Sequence, residues 1–306
     1  MMSKLWERWS AVGDADLLGT PFGTIDTGRA DFRSVPLSRL RQLSGATFRD
    51  RDFTAADFSE LQLCQCQFIN CVFDRADFTN LGEYACRFDH CSFVQTDWRS
   101  GAIGFRDHGQ PKSQYAGCTF EKVRLAKTNF RDARFENTHF IGPLKGVDFN
   151  ACGFWSCCFT GLLDDVMFRG NYLYDSARKR NPPVTETGLH DTSFADAELR
   201  WIGLTDGCVL ENVEMPRSGE AFICDQAALM RERESLLGSI ADTTVRECLA
   251  RYLEVRGYNA EGQPQLLVSV QDLLSSGPKL EPAARAAYGL LQRFAVATQY
   301  QSTTVH

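Results

Sequence analysis

Cysteine is the residue type whose number and spacing first suggest chemistry in this chain. The sequence of 306 residues holds 12 cysteines, and Cys64, Cys66, Cys71, Cys86 and Cys91 fall within one short region. A structural zinc site is typically built from two half-sites in which two to four residues separate the paired ligands. Here the dominant intervals are five and twenty residues. The sequence therefore predicts no metal site and no cofactor.

The histidines offer little for catalysis. No nucleophile elbow, phosphate-binding loop, dinucleotide fingerprint or zinc-protease motif is present. His108 and His190 could meet in the fold beside Asp107 or Asp191, but the sequence alone gives no geometry for such a pair. The sequence assigns no catalytic residue and predicts that the protein is not an enzyme. An enzyme or effector with a pocket in a loop or in a helical region remains the weakest alternative.

A period of five residues runs through the middle of the chain. The structure that this period specifies determines where the cysteine and histidine side chains lie. Of the 22 phenylalanines, 17 lie at centres spaced by five, in blocks between Phe48 and Met215. Five fits neither the 3.6-residue period of a helix nor the two-residue period of a strand, so each repeat requires a turn. The centres named as structural core are Phe48, Phe53, Phe58, Phe68, Phe73, Phe78, Phe88, Phe93, Phe130, Phe135, Phe149 and Phe154.

A second inward position lies two residues before each centre and carries a small side chain. Seven of the 12 cysteines occupy it, together with alanines, threonines and valines. We interpret cysteine there as a compact apolar filler. Cys66 and Cys86 lie twenty residues apart in this position, as do Cys71 and Cys91.

Glu83 occupies a centre position that is otherwise apolar between residues 48 and 103. A buried carboxylate without a partner is costly, and no second acid or base is placed to cooperate with this one. We therefore expect a local distortion in which Leu81 or Tyr84 turns inward and Glu83 reaches solvent. A tuned acid is the alternative interpretation.

Residues 56–58 and 76–78 both read Ala-Asp-Phe, and several other repeats depart from this sequence by one residue. In this pattern the chain resembles the pentapeptide-repeat family over about residues 46–216. The resemblance implies an all-β solenoid, a right-handed quadrilateral β-helix with four repeats per coil. Its coils would stack at the strand spacing of about 4.8 Å, and its ends would need caps.

The repeat is interrupted at two long breaks, near residues 105–117 and 174–191. Insertions in a solenoid map to surface loops, which often carry binding residues, although a solvated loop without a partner is the alternative. Residues 178–180 form the densest positive run of the chain. The candidate binding residues are Arg106, Asp107, His108, Lys112, Arg178, Lys179 and Arg180.

Three segments follow from these patterns: an N-terminal cap with degenerate coils (1–45), the β-helix (46–216) and an α-helical domain (217–306). The last segment has helical periodicity, with a helix predicted near 225–237, a second after Thr244, a third near 266–274 and a fourth from Pro282. Thr244 and Glu247 form a predicted capping box. The helices could serve as a simple cap, a partner-binding domain or a dimer interface, and a homodimer through them stays open.

Charge and composition argue against a nucleic-acid-binding, a membrane-spanning or a secreted protein. The net charge of −6 argues against direct binding to nucleic acid, and no stretch has the roughly 18 apolar residues of a spanning helix. The first ten residues lack the apolar core of a secretory signal. The expectation is a cytoplasmic protein with free thiols and no membrane contact.

Besides the enzyme alternative, the sequence supports two functional hypotheses. The first is a non-catalytic scaffold whose rod, loops and helical domain bind a protein partner. The second rests on the resemblance, because some pentapeptide-repeat proteins mimic B-form DNA and protect DNA gyrase or topoisomerase IV from antibiotics. Residues 46–219 hold 24 acidic and 19 basic residues, a net charge of −5 that is weak for such a mimic. An acidic stripe on one face would favour mimicry, and interspersed charges would oppose it.

Overall fold

The computed structural model describes residues 23–107, 109–173, 184–257, 263–275 and 278–296. From residue 30 to residue 214 the chain winds as a right-handed quadrilateral β-helix, whose short strands pair in parallel with those of the neighbouring coils. The first 22 residues of the expected N-terminal cap lie outside the described residues. Within the described ranges, no helix is long and apolar enough to cross a membrane.

A left-handed corner residue explains the period of five. Two residues after each centre, every fifth residue from Asp50 to Ser100 has a φ between 52° and 60°. This conformation bends the chain out of one strand and into the next, and it is unfavourable for residues other than glycine. Backbone bonds between coils offset that cost: the Asp50 N–H donates to Ile69 O at 3.0 Å and the Asn70 N–H to Asp89 O at 2.8 Å.

The β-helix has four faces, numbered here in the order in which the chain passes them. Face 1 contains Gln42–Ser44, Gln62–Cys64, Gly82–Tyr84, Ala102–Phe105, Asn129–Arg131 and Gly203–Thr205. Face 2 contains Thr47–Arg49, Gln67–Ile69, Arg87–Asp89, Gln114–Ala116, Arg134–Glu136, Gly153–Trp155, Gly188–His190 and Leu210–Glu211. Face 3 contains Ala30–Asp31, Arg51–Asp52, Ser92–Val94, Thr119–Glu121 and His139–Ile141.

Face 4 is held by single bridges rather than by regular strands in its first coils. These bridges join residues 36, 57, 77, 97 and 124 in succession. In the later coils three long strands run around corners and connect the faces: Leu144–Asn150, Cys158–Arg169 and Ser193–Arg200.

The interior is filled by stacked rings and small side chains. The twelve phenylalanine centres named above are 0 or 1% exposed, and rings of successive coils stack, as Phe68 does on Phe88 at 5.0 Å. Cys66 and Cys86 are stacked neighbours, since the Cys66 N–H donates to Cys86 Sγ at 3.4 Å. All 12 cysteines are free thiols. Burial raises the pKa of several of these thiols, that of Cys157 to about 12.

Among its described residues, the C-terminal region holds four α-helices: α1 (Gln226–Ser239), α2 (Thr243–Gly257), α3 (Val270–Leu274) and α4 (Glu281–Leu291). Short 3-10 turns lie at Leu37–Leu40, Pro278–Leu280 and Gln292–Phe294.

Two details differ from the sequence-based prediction for this region. The side chain of Asp242, rather than Thr244, caps α2, because it accepts from the N–H groups of Thr244 and Val245. The helix expected near 266–274 is a strand, Gln265–Ser269, followed by the short α3, because its apolar residues pair with a second strand, Ala221–Asp225.

The helical region packs on the last coils and caps the β-helix. Ala221, Ile223 and Leu267 extend the core of the β-helix into the helical region. Asp272 is buried, binds the guanidinium of Arg256 and accepts the Trp201 N–H at 2.6 Å. A cap that covers open strands is what a solenoid requires at its end.

Candidate binding surface at the two insertions

The first insertion begins at a β-bulge on face 1. The strand Ala102–Phe105 pairs with Gly82–Tyr84, but its register shifts by one residue between Ala102 and Phe105. A bulge leaves one residue outside the ladder, and its N–H group needs another acceptor. Gly104 has a φ of +83°, and an added Cβ there would lie 2.2 Å from Arg131 O. Only glycine fits at this point.

Glu83 supplies the missing acceptor, so the expectation that it reaches solvent is wrong. Its side chain is fully buried. One carboxylate oxygen accepts from the Gly104 N–H at 2.7 Å. The other accepts from the Ser113 hydroxyl at 2.7 Å and the Cys86 N–H at 2.8 Å. Burial raises the pKa of Glu83 in spite of these donors. Gly104 and Ser113 flank the first insertion, so Glu83 fixes both of its ends.

Asp132 gathers side chains from the first insertion and from Tyr172, which leads into the second insertion and is counted with it from here on. It is 1% exposed, and its Oδ2 accepts from Arg106 Nε at 2.6 Å and from the Tyr172 hydroxyl at 3.1 Å. Its Oδ1 lies 2.8 Å from Lys112 Nζ. Lys112 also donates to the carbonyl oxygen of Thr185, on the far side of the second insertion. Buried charges that are paired and hydrogen-bonded in this way hold a fixed geometry.

The two insertions therefore form one surface. We call it the joined-loop surface; it consists of residues 105–107, 109–113, 172–173 and 184–187. A further contact ties it to face 2, because Arg134 lies 3.3 Å from Glu186 and stacks on the Trp155 ring at 4.0 Å. Burial and the neighbouring Asp132 raise the pKa of Tyr172, so its hydroxyl stays protonated as a donor.

The candidate binding residues have different places in this surface. Arg106 and Lys112 are held on Asp132, with side chains only 11% and 9% exposed, so they build the surface rather than project from it. Asp107 is exposed. His108 and the basic run 178–180 lie outside the described residues. Sequence reasoning missed Asp132, because a corner aspartate in a repeat gives no local sign that it will be covered.

His190 is fixed by its neighbours. Its Nδ1 lies 2.9 Å from Glu211 Oε2, its Nε2 lies 3.0 Å from Thr187 O, and its ring stacks on Trp155 at 5.0 Å. With both nitrogens engaged, the ring is suited to holding the end of the second insertion. Among the described residues, no group of three histidine, cysteine or acidic side chains could hold a metal ion.

Charges on the rod are interspersed. In the described residues, acids pair with arginines two positions away, on one strand or turn: Asp31–Arg33, Arg87–Asp89, Asp97–Arg99, Arg134–Glu136 and Glu198–Arg200. Asp97 faces a second cation, Arg124, at 3.6 Å. The carboxylates of these pairs thus have neutralising partners, whereas Asp57 and Asp77 of face 4 accept hydrogen bonds from neutral donors.

Comparisons with known proteins find the five-residue repeat in part of the chain. The pentapeptide-repeat family model matches residues 42–80 with eight copies. No curated protein matches. A solved structure of QnrB1, "a plasmid-mediated fluoroquinolone resistance protein", has 17% identity and a TM-score of 0.26, and the match covers 63% of this chain and 89% of that one.

HetL from the cyanobacterium Nostoc sp. strain PCC 7120, a pentapeptide-repeat protein "involved in heterocyst differentiation regulation", has 12% identity and a TM-score of 0.21. That match covers 61% of this chain and 90% of HetL. Neither superposition is close enough to carry an argument about function. The family match at residues 42–80 and the five-residue corners that continue beyond it show that this chain contains pentapeptide repeats folded as a β-helix, with helices in its C-terminal region.

Proposed function

We propose that this protein is a non-catalytic scaffold that binds a protein partner through the joined-loop surface. The observation that carries the proposal is the buried Asp132, which holds side chains of both insertions. Two loops from distant parts of the sequence thereby present one surface of fixed shape. A surface that is ordered before binding loses less conformational entropy when a partner docks, and this favours affinity.

The rest of the chain supports a binding role rather than a catalytic one. The interior of the rod is filled by aromatic rings, which leaves no room for a substrate there. His190 lies in the described part of the second insertion, and both of its ring nitrogens contact other groups, Glu211 Oε2 and Thr187 O. The helical region is placed to cap the rod, since Asp272 and Arg256 bond to backbone groups of its last coils. The proposal keeps three segments, an N-terminal cap, the rod and a C-terminal cap, although parallel strand pairing of the rod begins already at Ala30–Asp31 rather than at residue 46.

DNA mimicry is the less favoured alternative. A mimic of B-form DNA needs a regular array of unneutralised negative charge. The pairing of acids with arginines on the same strand works against such an array. Binding to DNA gyrase or topoisomerase IV would therefore have to use the joined-loop surface.

The experiment uses the full chain as bait in a lysate of its host. The test variant is Asp132→Asn, which removes the charge that holds Arg106 and Lys112. The matched control is Asp77→Asn, the same change at an exposed position of face 4 where the side chain accepts the Thr79 N–H. The proposal predicts a protein that is enriched by the wild type and by the control and lost with Asp132→Asn. Equal capture by all three baits, or none by the wild type, contradicts it.

A further inference from the structure

Beside the joined-loop surface, face 1 has an open cleft of about 330 Å³. Its lining includes Lys127, Asn129, Arg131, Asp148 and Tyr172. The cleft lies where the second insertion leaves the rod, since Leu173 also lines it and its N–H donates to Asn150 Oδ1 at 3.0 Å.

Arg131 is oriented in this cleft by two aromatic rings. Its guanidinium carbon lies 5.0 Å from the centre of the Phe105 ring and 4.8 Å from that of Tyr172. One ring belongs to each insertion. Stacking restrains a guanidinium while leaving its N–H groups free to bond in the plane. Over the part of the chain that the structure describes, the Arg131 guanidinium has no hydrogen bond and no ion pair.

The lining of the cleft carries positive charge that no acidic side chain of the lining neutralises. Lys127 is exposed and likewise has no ion pair within the described ranges. Asp148 is the acidic residue of the lining, and Arg169 neutralises it with contacts of 2.9 and 3.0 Å. Other arginines of the later coils hold carboxylates, as Arg106 and Arg169 do. Arg131 is therefore an oriented cation that has no counter-ion among the described residues.

We propose that this cleft binds the carboxylate of an acidic side chain on the protein partner. The proposal rests on the function proposed above and names the chemistry that the surface recognises. A carboxylate suits a planar guanidinium because the two can form paired hydrogen bonds. The competition experiment below separates this carboxylate from a phosphate. Leu173, 38% exposed at the edge of the cleft, provides an apolar neighbour for the residue beside the acid.

The test measures fluorescence anisotropy of a labelled ten-residue peptide of alternating glutamate and leucine. A peptide with glutamine in place of glutamate is its neutral match. The full chain is compared with Arg131→Gln, Arg131→Lys and the control Arg75→Gln. Arg75 is an exposed arginine at a corner after face 3, and no ion pair is found for it in the described structure. Thermal melts of all four proteins check that the variants are folded.

We expect the glutamate peptide to bind the wild type and the Arg75→Gln control equally. Its affinity should fall about tenfold or more in Arg131→Gln, the size expected for hydrogen bonds between charged groups. Arg131→Lys should fall between the two, because it keeps the charge but loses the planar donors. Equal binding of the glutamate and glutamine peptides, or no loss in Arg131→Gln, overturns the proposal.

Competition with free anions separates a carboxylate site from a phosphate site. At matched ionic strength, acetate should displace the peptide at least as well as inorganic phosphate. Displacement by phosphate at roughly tenfold lower concentration would overturn the proposal.

The lysate experiment distinguishes the two proposals. If a partner is lost with Asp132→Asn but still captured by Arg131→Gln, the joined-loop surface is supported as the binding surface and the carboxylate site is overturned.

Discussion

The coils before residue 101 and those after it are built by the same rule but differ in what lies inside. In the first set the five-residue spacing of corners is unbroken from Asp50 to Ser100, and the buried polar residues of these coils are Asp52, Glu83 and Thr96. In the second set the spacing is interrupted, and polar groups such as Asp132 and Ser113 are buried. The two most deeply buried carboxylates of the described rod, Glu83 and Asp132, both bond to residues at the first interruption.

This difference teaches how a regular solenoid accommodates inserted chain. An insertion leaves backbone groups outside the ladder, and burying them without partners would cost free energy. Glu83, although it sits in a regular coil, accepts the Gly104 N–H of the next coil. Asp132 then holds the cations of that insertion. The carboxylates serve as anchors that let loops of fixed shape leave the rod.

The largest expected effect comes from comparing one glycine in each set of coils. Gly104→Ala would place a Cβ 2.2 Å from Arg131 O, whereas Gly45→Ala, at a φ of +66°, meets nothing within 4 Å. We expect Gly104→Ala to lower the free energy of unfolding by about 4 kcal/mol through strain and overpacking, and Gly45→Ala by about 1 kcal/mol. Urea denaturation measures both. Similar losses of unfolding free energy at the two sites would contradict the proposed difference between the two sets of coils.

Removing the anchor of the joined loops should have the next largest effect. Asp132→Asn leaves Arg106 and Lys112 in a mostly buried place without a counter-charge, and we expect a loss of about 3 kcal/mol in unfolding free energy. The exposed Asp77→Asn should stay within about 0.5 kcal/mol of the wild type. Denaturant unfolding at pH 7 measures the difference. A loss no larger than that of the control would show that the ion cluster does not stabilise the loops.

The pH dependence of stability sharpens the comparison at Glu83. Because burial raises its folded-state pKa, the folded chain holds the proton more tightly than the unfolded chain. Its contribution to stability is therefore full below the ordinary glutamate pKa and declines as the pH rises through the raised value. The free energy of unfolding of the wild type, relative to that of Glu83→Gln, should fall between those two pKa values by about 1.4 kcal/mol per pH unit. A constant difference between pH 4 and pH 8 would contradict the assignment.

The smallest expected effect is a difference in thiol reactivity. Cys64 and Cys158 are partly exposed, whereas the other ten cysteines are buried in the folded chain. Thiol reagents act on the thiolate, and burial raises the pKa of buried thiols such as Cys208 to about 12. We expect two fast-reacting thiols in the native protein, identified by mass spectrometry, and ten that react only on unfolding. Fast labelling at Cys66 or Cys157 would show that the rod opens.

The repetitive part of this fold could be predicted because each repeat carries its own information. A centre such as Phe68 needs only the spacing of its neighbours to be placed in the core, and the turn follows from the period of five. The anchoring roles of Glu83 and Asp132 were not predicted, because many of their donors come from residues 20 to 40 positions away. The strand Gln265–Ser269 was taken for helix for the same reason, since its partner is Ala221–Asp225.

The most direct test of the joined-loop surface is hydrogen–deuterium exchange of the full chain, followed by mass spectrometry. Peptides that cover residues 105–113 and 184–187 are compared in the wild type, Asp132→Asn and Asp77→Asn. The account predicts that both segments lose protection together in Asp132→Asn and that neither changes in Asp77→Asn. Faster exchange in only one segment, or in neither, would contradict the claim that Asp132 joins the two insertions into one surface.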